Sequence, residues 1–206
     1  MSPRILQTAD VRAGDVLLCY SDQMVKEGDP YGSGYAHAAI ALDDAGQLLE
    51  AAAPGVRLSD VSKLLNEYDH VAIMRADAVW DTPRLAALAK FASTAVGKRF
   101  NAVGMMKVPT RKAQLDNELL DRIEGHFAGT QPQVPSIRPV YFCSELVSSA
   151  FIEAGIVEQS AAVVLAPETI SPDDIGKDKV FGFFVGYLVS HPAYNVPAVD
   201  PFRTRI

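Results

Sequence analysis

The sequence predicts an α+β protein. Apolar runs of strand length are interspersed with amphipathic stretches of helix length, without the regular alternation of a doubly wound sheet. Hydrophobic residues at 49% against 21% charged describe a globular chain, and 206 residues bury a full core as one domain spanning 1–206.

The elements follow in order. Gly14-Asp15 turns into an apolar strand, Val16 to Tyr20, and the polar, glycine-rich stretch Asp22 to Gly34 reads as a loop. Tyr35 to Leu42 and Gln47 to Ala52 form a hairpin around Asp43-Asp44-Ala45-Gly46, closed by Pro54-Gly55. Ser59 or Asp60 caps a short helix through Asn66, and His70 to Arg75 is a strand with Val71 and Ile73 on one face. Thr82 as N-cap and Pro83 open a helix that turns Leu85, Leu88, Ala89, Ala92 and Val96 inward and ends at Gly97. A second helix, Lys112 to Phe127, sets Leu115, Leu119, Ile123 and Phe127 on one stripe, followed by a loop from Gly129 to Pro139. A third, Cys143 to Ala154, buries Leu146, Val147, Ala150 and Phe151 and ends at Gly155. A capped turn at Ser171-Pro172-Asp173-Asp174, a glycine-containing strand from Val180 to Val189 and an extended arm, Pro192 to Ile206, complete the chain.

Composition removes several function classes. A net charge of −6 with scattered basic residues argues against nucleic acid or a polybasic membrane contact. The longest apolar run, Val180 to Val189, is about half a membrane span, so no integral membrane association is expected. Met1 to Ala13 lacks the apolar core of a signal peptide, which makes the cytoplasm the expected location. Two cysteines make no disulfide framework, and four histidines show no metal-ligand spacing with them, so neither metal nor cofactor is expected.

Chemistry concentrates at Cys143. It opens an amphipathic helix, where unpaired N–H groups and the helix dipole favour a thiolate, although a free cysteine is also a common small core residue. Cys19, in the middle of a strand, reads as structural. A thiolate nucleophile needs a base and a group that orients it. His37 lies among small residues on one hairpin strand and Glu50 on the other. With an even loop His37, Ala39 and Glu50 share a face, Glu50 opposite or diagonal to His37. Taken singly, His37 reads as a core histidine and Glu50 as a solvent-facing strand end; the shared face joins them.

Four segments, Gly14-Asp15-Val16-Leu17-Leu18, Ala36-His37-Ala38-Ala39-Ile40, Leu49-Glu50-Ala51 and Tyr141-Phe142-Cys143-Ser144-Glu145-Leu146-Val147, resemble the YiiX-like hydrolases. These are circularly permuted members of the NlpC-type, papain-like cysteine peptidase superfamily. Gly97-Lys98-Arg99-Phe100-Asn101, similar to a glycine–aromatic–Asp/Asn motif, and Ser171-Pro172-Asp173-Asp174 add to the resemblance. It implies a cysteine-bearing helix packed on an antiparallel, barrel-like sheet, and a triad of Cys143, His37 and Glu50. It further implies hydrolysis of an amide next to a small amino acid or peptide, although relatives move acyl groups to or from lipids. The chain departs from the family in an insert-like stretch, Val108 to Arg138, and in its C-terminal arm.

The expected activity is therefore that of a cysteine amidase or peptidase acting on a small peptide, amino-acid amide or acyl substrate. The Cys143 N–H contributes to an oxyanion hole. Tyr35 or Tyr141 joins as a side-chain donor or serves packing, and Glu145 binds a substrate amine or compensates the helix dipole. His70 and His126 read as solvated or capping residues. The alternatives are an acyl hydrolase or acyltransferase with the same triad, and an inactive peptide- or lipid-binding module.

Overall fold

The apolar run Val16–Tyr20 forms strand β1, and all five of its residues are buried. Such a run needs cover on both faces of a sheet. Val16 and Leu18 face one core cluster, while Leu17 and Cys19 face another. The fold is a computed structural model that describes residues 3–28, 33–130, 137–158 and 160–203.

Strands β2 (Tyr35–Ala41) and β3 (Gln47–Ala52) make the expected hairpin, followed by β4 (Gly55–Asp60), β5 (His70–Arg75), β6 (Arg99–Phe100), β7 (Val140–Tyr141) and β8 (Phe183–Val189). Together they form one eight-stranded sheet in the order β7-β6-β4-β3-β2-β1-β5-β8. Every pairing is antiparallel except β6 with β7. The sheet is thus mixed and has two edges, β7 and β8, with a parallel bridge from Ile5 to Tyr187 extending the β8 side.

The helices are α1 (Asp22–Glu27), α2 (Val61–Glu67), α3 (Thr82–Ala95), α4 (Ala102–Met106), α5 (Val108–Phe127), α6 (Cys143–Glu153) and α7 (Pro172–Lys177). Residues of α3, α6 and α7 build one core with Leu18, Ile40 and Leu49, and α2 helps close the other over Leu17, Cys19 and Ala39. The architecture is α+β.

Several expectations are corrected. The stretch Asp22 to Gly34 holds α1, because Ser21 accepts from the Met24 N–H and Gly28 supplies a left-handed end; residues 29–32 lie outside the described residues. The turn that closes the hairpin is Ala53-Pro54, not Pro54-Gly55, because Gly55 already pairs in the next strand. Ala53 and Pro54 form a turn into β4, whose Val56 turns into the core between outward-facing neighbours. Asp81, not Thr82, caps α3 through the Arg84 N–H, and the buried stripe is Leu88, Phe91, Ala92 and Ala95, leaving Ala89 and Val96 exposed. Phe91 is the larger apolar group, and its burial sets the rotation of the helix.

Helix α5 begins at Val108, a turn earlier than expected, and only Leu115 of its stripe is fully buried; Phe127 is 85% exposed. Of the loop from Gly129 to Pro139, residues 131–136 lie outside the described ones. Helix α6 is not amphipathic. Every residue from Cys143 to Ile152 is buried, because the helix lies between the sheet and the surrounding helices. The C-terminal segment is not a free extended arm either: Val196, Asp200 and Phe202 are buried against the body, and 204–206 lie outside the described residues.

Gly182 and Gly186 explain why the apolar run Val180–Val189 tolerates glycine. Gly182 has φ +110° and a Cβ there would stand 2.4 Å from the Arg75 carbonyl carbon, while at Gly186 (φ +154°) it would meet the Leu6 side chain.

Candidate active site

The hairpin β2–β3 carries two of the three candidate residues. Its register pairs Glu50 with Ala39, so Glu50 lies diagonal to His37 on the same face. His37 Nε2 and Glu50 Oε2 are 2.7 Å apart, with His37 at 5% and Glu50 at 0% exposure. On the neighbouring strand Arg57 is the direct partner of Glu50, and its Nε donates to Oε1 at 2.9 Å. Lys63 Nζ stands 4.0 Å from the same oxygen. Both carboxylate oxygens are therefore engaged.

Helix α6 brings the third. Cys143 is its first residue, 4% exposed, and its thiol is coupled electrostatically to the His37 imidazole. With Nε2 taken by Glu50, Nδ1 is the ring nitrogen left for the sulfur. The backbone N–H groups of Ala38 and Ser144 add to the positive field at the sulfur. At the first helical position the Cys143 N–H has no intrahelical acceptor. Tyr68 lies parallel to the imidazole, ring centroids 5.6 Å apart.

The electrostatics follow from this packing. Burial pushes the Cys143 thiol up, but the hydrogen bond and charge of His37 and the Ala38 and Ser144 N–H groups bring it below the usual thiol value. Burial would lower His37, yet hydrogen bonds to Cys143 and Glu50 raise it to about 9. Burial likewise raises the Glu50 carboxyl, and His37 and Arg57 overcome this to hold it at about 2. The combination favours thiolate and imidazolium together, the charge state of an activated cysteine. Cys19 sits directly across the ladder from His37 but is pushed up, first by burial and then by the charges of Glu50 and Cys143.

Three other candidate residues are placed elsewhere. Tyr35 is buried, and its hydroxyl donates to Asp200 Oδ2 at 2.8 Å in a cluster with His70 and Tyr187. Tyr141 is fully buried, and its hydroxyl accepts from the Arg138 N–H at 2.7 Å. The Tyr35 O–H is thus committed to Asp200 and is not free to act as an oxyanion donor. Glu145 is buried, accepts from the Phe142 and Asn101 nitrogens, and pairs with Arg138 at 2.8 Å, which leaves it as a helix-capping carboxylate and not an amine receptor. His70 is no surface residue either: it is fully buried, stacked on Tyr20 and bonded to Asp200 and Tyr194.

Arg57 and Tyr68 were missed at the level of sequence. A signal for Arg57 exists: a two-residue turn at Ala53-Pro54 places residue 57 opposite residue 50. Nothing local marks Tyr68, which reaches His37 only through the path of the chain after α2. Among the described residues no three His, Cys, Asp or Glu side chains converge as metal ligands, and no helix is long and apolar enough to cross a membrane.

Comparison with known proteins adds no relative to this geometry: no family model, no curated protein and no solved structure matches the chain.

Proposed function

We propose that this protein is a cysteine-dependent amidase or peptidase with a permuted papain-like, NlpC-type fold. The observation that supports the reading most is the position of His37, hydrogen-bonded to the buried Glu50 and coupled electrostatically to Cys143 at the start of α6. The chain order His37, Glu50, Cys143 is that of the permuted group.

In this mechanism the Cys143 thiolate attacks the carbonyl carbon of the scissile amide. The developing oxyanion is met by the Cys143 N–H. As the C–N bond breaks, the His37 imidazolium gives its proton to the leaving amine, which leaves an acyl thioester on Cys143. His37, now neutral, takes a proton from water; the resulting hydroxide attacks the thioester, releases the acid and restores the thiolate–imidazolium pair. Glu50 keeps Nε2–H bonded throughout and so fixes the ring with Nδ1 toward the sulfur, while Arg57 keeps Glu50 ionised.

The test is a panel of amide, ester and thioester acyl donors followed by intact mass. An acyl adduct on wild-type protein that is absent from Cys143→Ala supports the nucleophile. Turnover of amides identifies the amidase, and turnover of thioesters alone replaces it with an acyl hydrolase. No adduct from any donor removes the enzymatic reading.

A further inference from the structure

Helix α5 and Arg138 border a groove that this mechanism does not use. Helix α5 sets Arg111, Leu115, Glu118 and Arg122 along one stripe, facing Arg138 and Glu168 across a cavity of about 320 Å³. That cavity shares Arg111, Arg138 and Glu168 with one neighbour and Leu115 and Thr169 with another, so a single groove follows the helix.

Its charges are unevenly committed. Arg138 pairs through its terminal nitrogens with Glu145 at 2.8 Å and Glu168 at 2.7 Å, while its buried Nε has no acceptor. Among the described residues Arg111 and Arg122 have no carboxylate partner, and Nε of Arg122 is buried with no hydrogen-bond acceptor. Glu118 stands one turn before Arg122, a spacing suited to an ion pair, and makes none among the described residues. A buried donor left unbonded is unfavourable and invites an acceptor from outside.

The lining arginines, Arg111, Arg122 and Arg138, are balanced by Glu118, Glu145 and Glu168. A phosphate dianion gains little from such a neutral set; a ligand carrying both signs gains twice. Along the helix Glu118 is about 6 Å from Arg122 and about 10 Å from Arg111, while an extended dipeptide spans at most about 7 Å. Leu115 and the apolar residues Ile170 and Phe181 in the continuing groove supply a wall for an uncharged side chain.

We infer that the α5 groove binds a free zwitterionic amino acid or dipeptide with an apolar side chain, its ammonium on Glu118 and its carboxylate on Arg122 or Arg111. This inference does not rest on the hydrolase reading, and its readout is binding.

The experiment is calorimetric titration of full-length Cys143→Ala protein, which removes turnover, with the dipeptide Ala-Leu, its C-terminal amide, its N-acetyl derivative and inorganic phosphate. Ala-Leu should bind at millimolar concentration, and each blocked form should bind at least about tenfold more weakly. Arg122→Gln and Glu118→Gln, added singly with unchanged melting temperatures, should each cost a similar factor, and Arg122→Lys should recover part of it. No heat from Ala-Leu, equal affinity for the blocked forms, tighter binding of phosphate, or full affinity in both variants would overturn the assignment. Binding retained in both variants would place the dipeptide elsewhere on the protein.

Discussion

Glu50 meets His37 on a diagonal of the β2–β3 ladder, with its carboxylate 2.7 Å from Nε2, while its rung partner is Ala39. A diagonal contact needs empty volume over the intervening rung, and a methyl group provides it. The carboxylate then reaches the Nε2 edge of the imidazole, and Arg57, its partner on the next strand, takes the remaining oxygen. Three adjacent strands thus fix one ring orientation without help from a flexible loop.

The two cysteines should separate by reactivity. At a pH of about 6, iodoacetamide should alkylate Cys143 well before Cys19, since one thiol is lowered by His37 and two N–H donors and the other is raised by burial. Peptide mapping after partial labelling reads the ratio. Equal rates, or preference for Cys19, contradict an activated Cys143.

The pH dependence has a definite sign. On an amide substrate kcat/KM should rise as Cys143 deprotonates below the usual thiol value and fall as His37 loses its proton through about 9. The same shifts act on stability. His37 is raised from 6.5, so its contribution is complete below that value and is lost as pH rises through about 9. Glu50 is lowered from 4.5, so its contribution is complete above that value and is lost as pH falls through about 2. Melting curves of wild-type and His37→Gln protein should diverge most between about pH 4.5 and 6.5 and converge at the alkaline end; a constant difference across the range contradicts the linkage.

Removing members of the triad should not be additive. Cys143→Ala and His37→Ala should each abolish nearly all turnover, and the double variant should be scarcely worse. Glu50→Gln should retain more activity than either. Arg57→Ala should lower turnover by about tenfold and stability by about 1–3 kcal/mol, because a fully buried carboxylate loses one of its charged donors, and Arg57→Lys should restore part of both. A well-folded His37→Ala protein with wild-type turnover would rule out His37 as the base.

Tyr35 offers the opposite test. Its hydroxyl belongs to the Asp200 cluster, so Tyr35→Phe should leave turnover intact and cost about 1 kcal/mol of stability. Asp200→Ala should cost about 3–5 kcal/mol, since it strands the Tyr35 and Tyr187 hydroxyls, His70 and the Phe202 N–H. Chemical denaturation measures both; a turnover loss in Tyr35→Phe at unchanged stability would return this hydroxyl to the active site.

Much of the candidate site is legible in the amino-acid sequence, because its determinants are local. Strand alternation and an even loop put His37, Ala39 and Glu50 on one face, and the start of a helical pattern puts Cys143 where backbone N–H groups are free. Both are properties of neighbouring residues in the chain.

Residues whose roles depend on partners far along the chain are not legible in that way. Tyr35 and Asp200 are 165 positions apart, and only the folding back of the C-terminal segment turns that tyrosine from a possible donor at the thiol into part of a buried latch. Glu145 opens α6 beside Cys143, yet Arg138 and Asn101 claim it. Periodicity and turn chemistry act over a few residues, and they suffice to set the strands and helices that hold the thiol, imidazole and carboxylate. Which polar groups are already satisfied by distant partners depends on the packed chain, because burial removes water and lets the nearest hydrogen-bonding group in space, wherever it lies in the chain, take its place.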